Sequence, residues 1–189
     1  MTIIERAKAL ILQPEREWQT IALERADTKS LFTGYAMPLA AIPAVAGFIG
    51  SAVFAGFLGS ALGVRIGTFS LLLNAIIGYV LGLAGVWVWG KIIEALAPRF
   101  VGVADETASM KLAVYSPTAA WLAGIFAIIP PLAILAILGL YSFYIFYKGV
   151  PAMTRVPADR AMVFTLAVVV LGIVVNIVVG LVAGLFLRF

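Results

Sequence analysis

Neither cysteine nor histidine occurs among the 189 residues. Their absence excludes disulfides, thiol nucleophiles, zinc sites built on Cys or His, and imidazole acid–base chemistry. Charge is scarce as well, at 12% of residues, and none falls between Lys111 and Lys148. The seven serines have no histidine to activate them. A serine–lysine dyad would need Lys91 or Lys111 brought to one of them by folding. No Walker-type glycine loop is present. Asp105-Glu106 is the one adjacent carboxylate pair, and before Thr107 it suits the positive N-terminal end of a helix. No catalytic, metal or cofactor residue is therefore expected, and the chain reads as a non-enzyme.

What is present is apolar, 63% of the chain. Soluble domains sit near half, and long uncharged runs mark membrane spans. The run from Leu112 to Val150 is nearly twice what a ~30 Å hydrocarbon core needs at ~1.5 Å per residue. Its only break is Pro130-Pro131, where a missing backbone donor and ring clashes end one helix and start another. The expected fold class is all-α: a polytopic helical bundle with spans at roughly 32–60, 68–93, 112–129, 132–150 and 161–187. Residues 31–189 form the transmembrane domain in this reading. Pro38 and Pro43 are candidate kinks in the first span.

Residues 1–30 are charged throughout and are read as a retained cytoplasmic segment, not a cleaved signal peptide. Ile3, Ile4, Ala7, Leu10 and Ile11 recur at helical spacing with Glu5, Arg6 and Lys8 opposite. Pro14 restarts a helix whose face carries Trp18, Ile21 and Ala22. This amphipathic pair either lies in the headgroup region, anchored by Ile4, Ile11 and Trp18, or packs on the ends of the spans.

Five spans put the termini on opposite sides. Arg6, Lys8, Arg16, Arg25, Lys29, Lys91, Arg99, Lys111, Lys148, Arg155 and Arg160 fall on one side, with only Arg65 and Arg188 on the other. Positive charge stays inside, so the N-terminus is expected in the cytoplasm and the C-terminus outside. The net charge of +4 is thus explained by orientation, and nucleic acid is not an expected partner. The lipid bilayer is, together with a membrane-protein partner or a second copy.

No acid or base lies mid-span, which argues against an ion-coupled carrier. Two asparagines remain, each on a ladder of small residues four apart: Ser70, Asn74, Gly78, Gly82 and Gly172, Asn176, Gly180, Gly184. Gly47, Ser51, Ala55, Gly59 and Gly63 form a third such face. Helix-to-helix adhesion is the preferred reading, since small residues allow close approach and an amide bonds across it. Lining of a small-solute channel or transporter is the alternative.

Several motifs occur in a characteristic order: Pro14-x-x-x-Trp18-x-x-Ile21, Lys111-x-x-x-Tyr115-Ser116-Pro117, Pro130-Pro131, Gly139-Leu140-Tyr141 through Lys148-Gly149-Val150, and Pro157-x-Asp159-Arg160-Ala161. In this the chain resembles the YIP (Ypt-interacting protein) domain membrane proteins, especially their small bacterial members. The resemblance implies five helices, a cytoplasmic N-terminus and a membrane-organising or trafficking-type role in a bacterial inner membrane. Eukaryotic members are associated with Rab-type GTPases and carry an Asp-Leu-Tyr-Gly-Pro-like motif before the first span. Here Tyr35-Ala-Met-Pro38 stands nearest that place, so a Rab partner is not implied.

Overall fold

A computed structural model describes the backbone of residues 1–62 and 67–186, and side-chain surroundings at 1–57, 67–175 and 177. The described residues are helical and contain no strand, an all-α bundle with five helices long and apolar enough to cross a membrane. These are Thr28–Phe57, Thr68–Phe100, Glu106–Ile128, Pro130–Thr154 and Ala158–Val175.

The first helix, α1 (Ile3–Leu12), opens on a reciprocal cap. Thr2 Oγ1 accepts from the Glu5 amide (3.2 Å), and Glu5 accepts from the Thr2 amide (2.8 Å). The Thr2 backbone bond, then its hydroxyl, hold the Glu5 carboxyl below its usual range. Pro14 occupies the first turn of α2 (Pro14–Leu23), where its missing donor costs nothing. Asp27 caps the short α3 (Thr28–Leu31), and its carboxyl is lowered by the Ser30 hydroxyl and then the Ser30 amide.

One widened turn, Phe32–Ala36, joins α3 to α4 (Met37–Leu62). It lies just ahead of Pro38, whose ring would clash with the carbonyl four residues back in regular α geometry. The Met37 amide accordingly reaches the Phe32 carbonyl. After α5 (Thr68–Leu96), a tight turn at Ala97–Phe100 leads through Val101, in the left-handed region, to α6 (Glu106–Tyr115). Asp105 caps α6 by accepting from the Ala108 amide at 2.7 Å, and Glu106 pairs with Lys91 at 3.1 Å. That carboxylate pair is thus a helix terminus.

Pro117 separates α6 from α7 (Thr118–Ala123). The Ser116 hydroxyl donates to the Leu112 carbonyl (2.6 Å) and Thr118 to that of Tyr115, so side chains take up carbonyls near a break buried in protein.

The charge-free hairpin folds back at Ile129, in extended backbone just before Pro130-Pro131. It departs from two plain α-helices: Gly124–Ile128 and Pro130–Leu140 wind as 3-10 helix, followed by α8 (Tyr141–Thr154). At ~2.0 Å rise per residue, against ~1.5 Å, the tighter winding lengthens both arms of the hairpin. Helix α9 (Ala158–Phe186) ends the described backbone.

Close helix approaches occur at one ladder glycine, Gly172, where a Cβ would overlap the Trp89 ring, and at glycines outside the ladders. A Cβ on Gly50 would overlap the Ala127 backbone, one on Gly124 would overlap Pro43, and one on Gly139 would sit 3.0 Å from Ala120 Cα. By contrast, a Cβ on Gly47, Gly78 or Gly82 would meet nothing within 4 Å. Gly124→Leu is therefore expected to lower the melting temperature in detergent far more than Gly78→Leu, because overpacking costs ~1–3 kcal/mol or more. Equal losses would contradict this division.

Candidate functional site

The motif residues from the two ends of the chain converge on one junction, where α1 and α2 dock on α6 and α8. The Trp18 indole is fully buried, donates from Nε1 to the Ile145 carbonyl at 2.9 Å, and fills a notch left by Gly149. Its edge meets Tyr115 (centroids 6.3 Å, 78°), which in turn meets Tyr35 (4.6 Å, 65°). The Tyr35 and Thr118 hydroxyls share a hydrogen bond of 2.9 Å.

Beneath this aromatic layer lie buried charges. Arg6 forms ion pairs with Glu17 and Glu24 and stands 5.7 Å from the Tyr115 ring centre. Burial alone would lower the Arg6 pKa, but the Glu24 bond and the charges of Glu24 and Glu17 outweigh it, so the net shift is upward. The buried Lys111 donates to the Ile21 carbonyl (2.8 Å) and to that of Glu24. A cation there satisfies the orphan carbonyls at the α2 C-terminus and complements its dipole. The four side chains sum to zero charge. The three buried ones, Arg6, Glu17 and Lys111, each have a partner, as buried ions require, while Glu24 is part-exposed.

This geometry corrects the reading of Trp18 as an interfacial anchor. Its face of α2 is covered by protein, because Gly149 leaves room for the ring and Ile145 offers its carbonyl. Ile11 is half-buried, and only Ile4, 75% exposed, stays free to meet lipid. Of the other motif residues, Pro14, Tyr115, Pro117 and Gly149 belong to the junction or adjoin it. Tyr141 donates to the Ile11 carbonyl at 3.0 Å, while Pro130 and Pro131 form the hairpin turn and Pro157 precedes α9. The charged network itself escaped the sequence reading. Its signal was the lone Lys111 at the threshold of the uncharged run, and Arg6 and Glu17 each beside a buried apolar position.

Among the described residues no serine–lysine dyad forms: Lys111 is committed to carbonyls, and Lys91 to Glu94 (3.0 Å) and Glu106. Among the described residues no three of His, Cys, Asp and Glu come together as a metal site.

The Asn74 ladder has a different setting. Asn74, Gly78 and Gly82 of α5 and Gly47 and Ser51 of α4 line a cleft of about 370 Å³, floored by Trp121. A Cβ at Gly47, Gly78 or Gly82 would meet nothing within 4 Å, so these positions leave the cleft open, whereas Gly172 of the second ladder packs against the Trp89 ring. Glycine removes the side chain that could fill the gap, and the close crossing is made elsewhere, at Gly50 and Gly124. Asn176, Gly180 and Gly184 lie outside the residues with described side-chain surroundings, as do Gly59 and Gly63.

With five apolar helices and motif residues gathered at one junction, comparison with known proteins becomes decisive. The Yip1 domain model matches residues 8–179. The chain belongs to the Yip1 domain family. Within it, the chain is similar to the "Inner membrane protein YohC" of two Escherichia coli strains, 27% identical over 170 residues, covering 88% of this chain and 87% of the relative. No solved structure matches it. The Yip1 match takes in Trp18, Lys111, Tyr115 and Gly149 and begins just after Arg6, so most of the junction lies within the family's domain.

Proposed function

We propose that this Yip1 domain protein is a non-catalytic protein of the bacterial inner membrane, acting through lateral or cytoplasmic-face interactions in a membrane-organising role. The observation that carries this reading is the junction: its ionic groups are spent on one another and on backbone carbonyls. The YohC relative, an inner membrane protein by name, supports the location. In this reading residues 1–30 are a cytoplasmic segment docked on the transmembrane domain of residues 31–189, and the C-terminus lies outside. The eleven-to-two charge count supports that orientation.

A small-solute pathway is the second reading, favoured by the open cleft that Asn74 lines. Asn74 and Asn176 would be its polar contacts.

Two measurements test these readings. Since the chain has no cysteine, Val103→Cys and Phe189→Cys are clean reporters, Val103 being 67% exposed. An impermeant thiol reagent on intact cells is expected to label the second and spare the first. In liposomes, the purified protein is expected to pass no more glycerol or potassium than protein-free vesicles. A flux abolished by Asn74→Leu would replace the first reading with the second.

A further inference from the structure

Between α1 and the spans runs a second, almost wholly apolar groove of about 630 Å³. Ile4, Ile11 and Leu12 form one wall, Leu39 and Ile42 of α4 the other, and Leu122 of α7 closes it. The volume is that of a small-molecule site, ~300–1,000 Å³. Two walls belong to helices long and apolar enough to cross a membrane. Ile4 and Leu12 stand 75% and 65% exposed along its rim.

Lys8 sits between them, one helical turn from each, and is the one charged residue lining the groove. Arg6 and Lys148 are held by carboxylates, the latter by Glu15 at 3.2 Å. Lys8 has no ion pair among the described residues. A lysine stem can lie along apolar surface while its ammonium reaches headgroup level. An apolar slot with a cation at its mouth matches the two ends of an anionic phospholipid. We infer that this groove binds one such lipid, an acyl chain between α1 and α4 and the phosphate on Lys8. A second copy is the poorer occupant, because its residues 1–30 carry five acids against five bases and bring no net charge to Lys8, whereas a phosphate does.

The inference goes beyond the proposed function and stands apart from it. An inverted orientation in the labelling experiment would leave it untouched, because a detergent micelle has no sides. The test is native mass spectrometry of the purified full chain with dioleoyl phosphatidylglycerol or dioleoyl phosphatidylcholine. The wild type is expected to retain one phosphatidylglycerol in preference to phosphatidylcholine. Lys8→Gln should lower that retention about fivefold, the effect of one basic residue near an anionic headgroup. Lys29→Gln should leave it unchanged. Ile42→Trp, which fills the groove, should lower retention of both lipids, and Ile4→Asn provides a second groove variant if the first does not fold. Equal retention of the two lipids would overturn the inference. So would an unaltered Lys8→Gln protein, displacement of the lipid by inorganic phosphate, or a lipid-free dimer in place of the lipid adduct.

Discussion

Trp18→Ala is expected to cost ~3–5 kcal/mol, the range for truncating a fully buried large aromatic side chain. The substitution empties the notch above Gly149, exposes the edge of Tyr115 and leaves the docking of α2 on α8 without its central contact. A melting curve in detergent, read from the helical signal, measures it. Trp18→Phe should recover much of the loss, lacking only the Nε1 bond to Ile145, a contribution of ~1 kcal/mol. Trp87→Ala, on a ring 47% exposed, should fall within ~0.5 kcal/mol of the wild type. If Trp18→Ala melts no lower than Trp87→Ala, the indole is not the docking element.

Glu17→Leu carries the second large effect, ~3–5 kcal/mol, because it leaves Arg6 buried with half of its counter-charge. Glu24 remains, but its side chain is 39% exposed and its bond to Arg6 is open to water. The double replacement Arg6→Met with Glu17→Leu removes both buried charges, and substitutions of this kind are often neutral or stabilising. It is therefore expected to melt near the wild type, well above Glu17→Leu alone. Raising the salt concentration should change the gap little, since a buried pair is screened far less than a surface one. Additive losses in the double variant would mean that Arg6 and Glu17 do not act as a unit.

The features legible in the sequence were those whose cause is local. Pro130-Pro131 must break a helix wherever it stands, and an uncharged run of that length must be shared between two crossings. The charge asymmetry, too, needs no tertiary information. Trp18 shows where local reasoning ends. Its spacing with Ile21 identified a face to be buried, but lipid and protein bury such a face equally well. Only the approach of Gly149, far along the chain, decides between them. The small-residue ladders are ambiguous for a related reason, since Gly172 packs on Trp89 while Gly78 meets nothing. A glycine shows that something can come close and says nothing about whether anything does. Gly50, one position from the ladder residue Ser51, meets the Ala127 backbone, whereas Gly47 and Gly78 face a void. The 3-10 winding of Pro130–Leu140 was also illegible, since apolar composition suits either helix.

The bond from Trp18 to Ile145 joins residues 127 positions apart. A ribosome adding ~5–20 residues per second completes the first helix pair roughly 6–25 s before its receptor carbonyl exists. Lys111 and Tyr115 follow the pair by most of that interval. This helix pair, made well ahead of its receptor, finds its place late, and throughout that interval Arg6, Glu17 and Trp18 remain open to water, lipid or a chaperone.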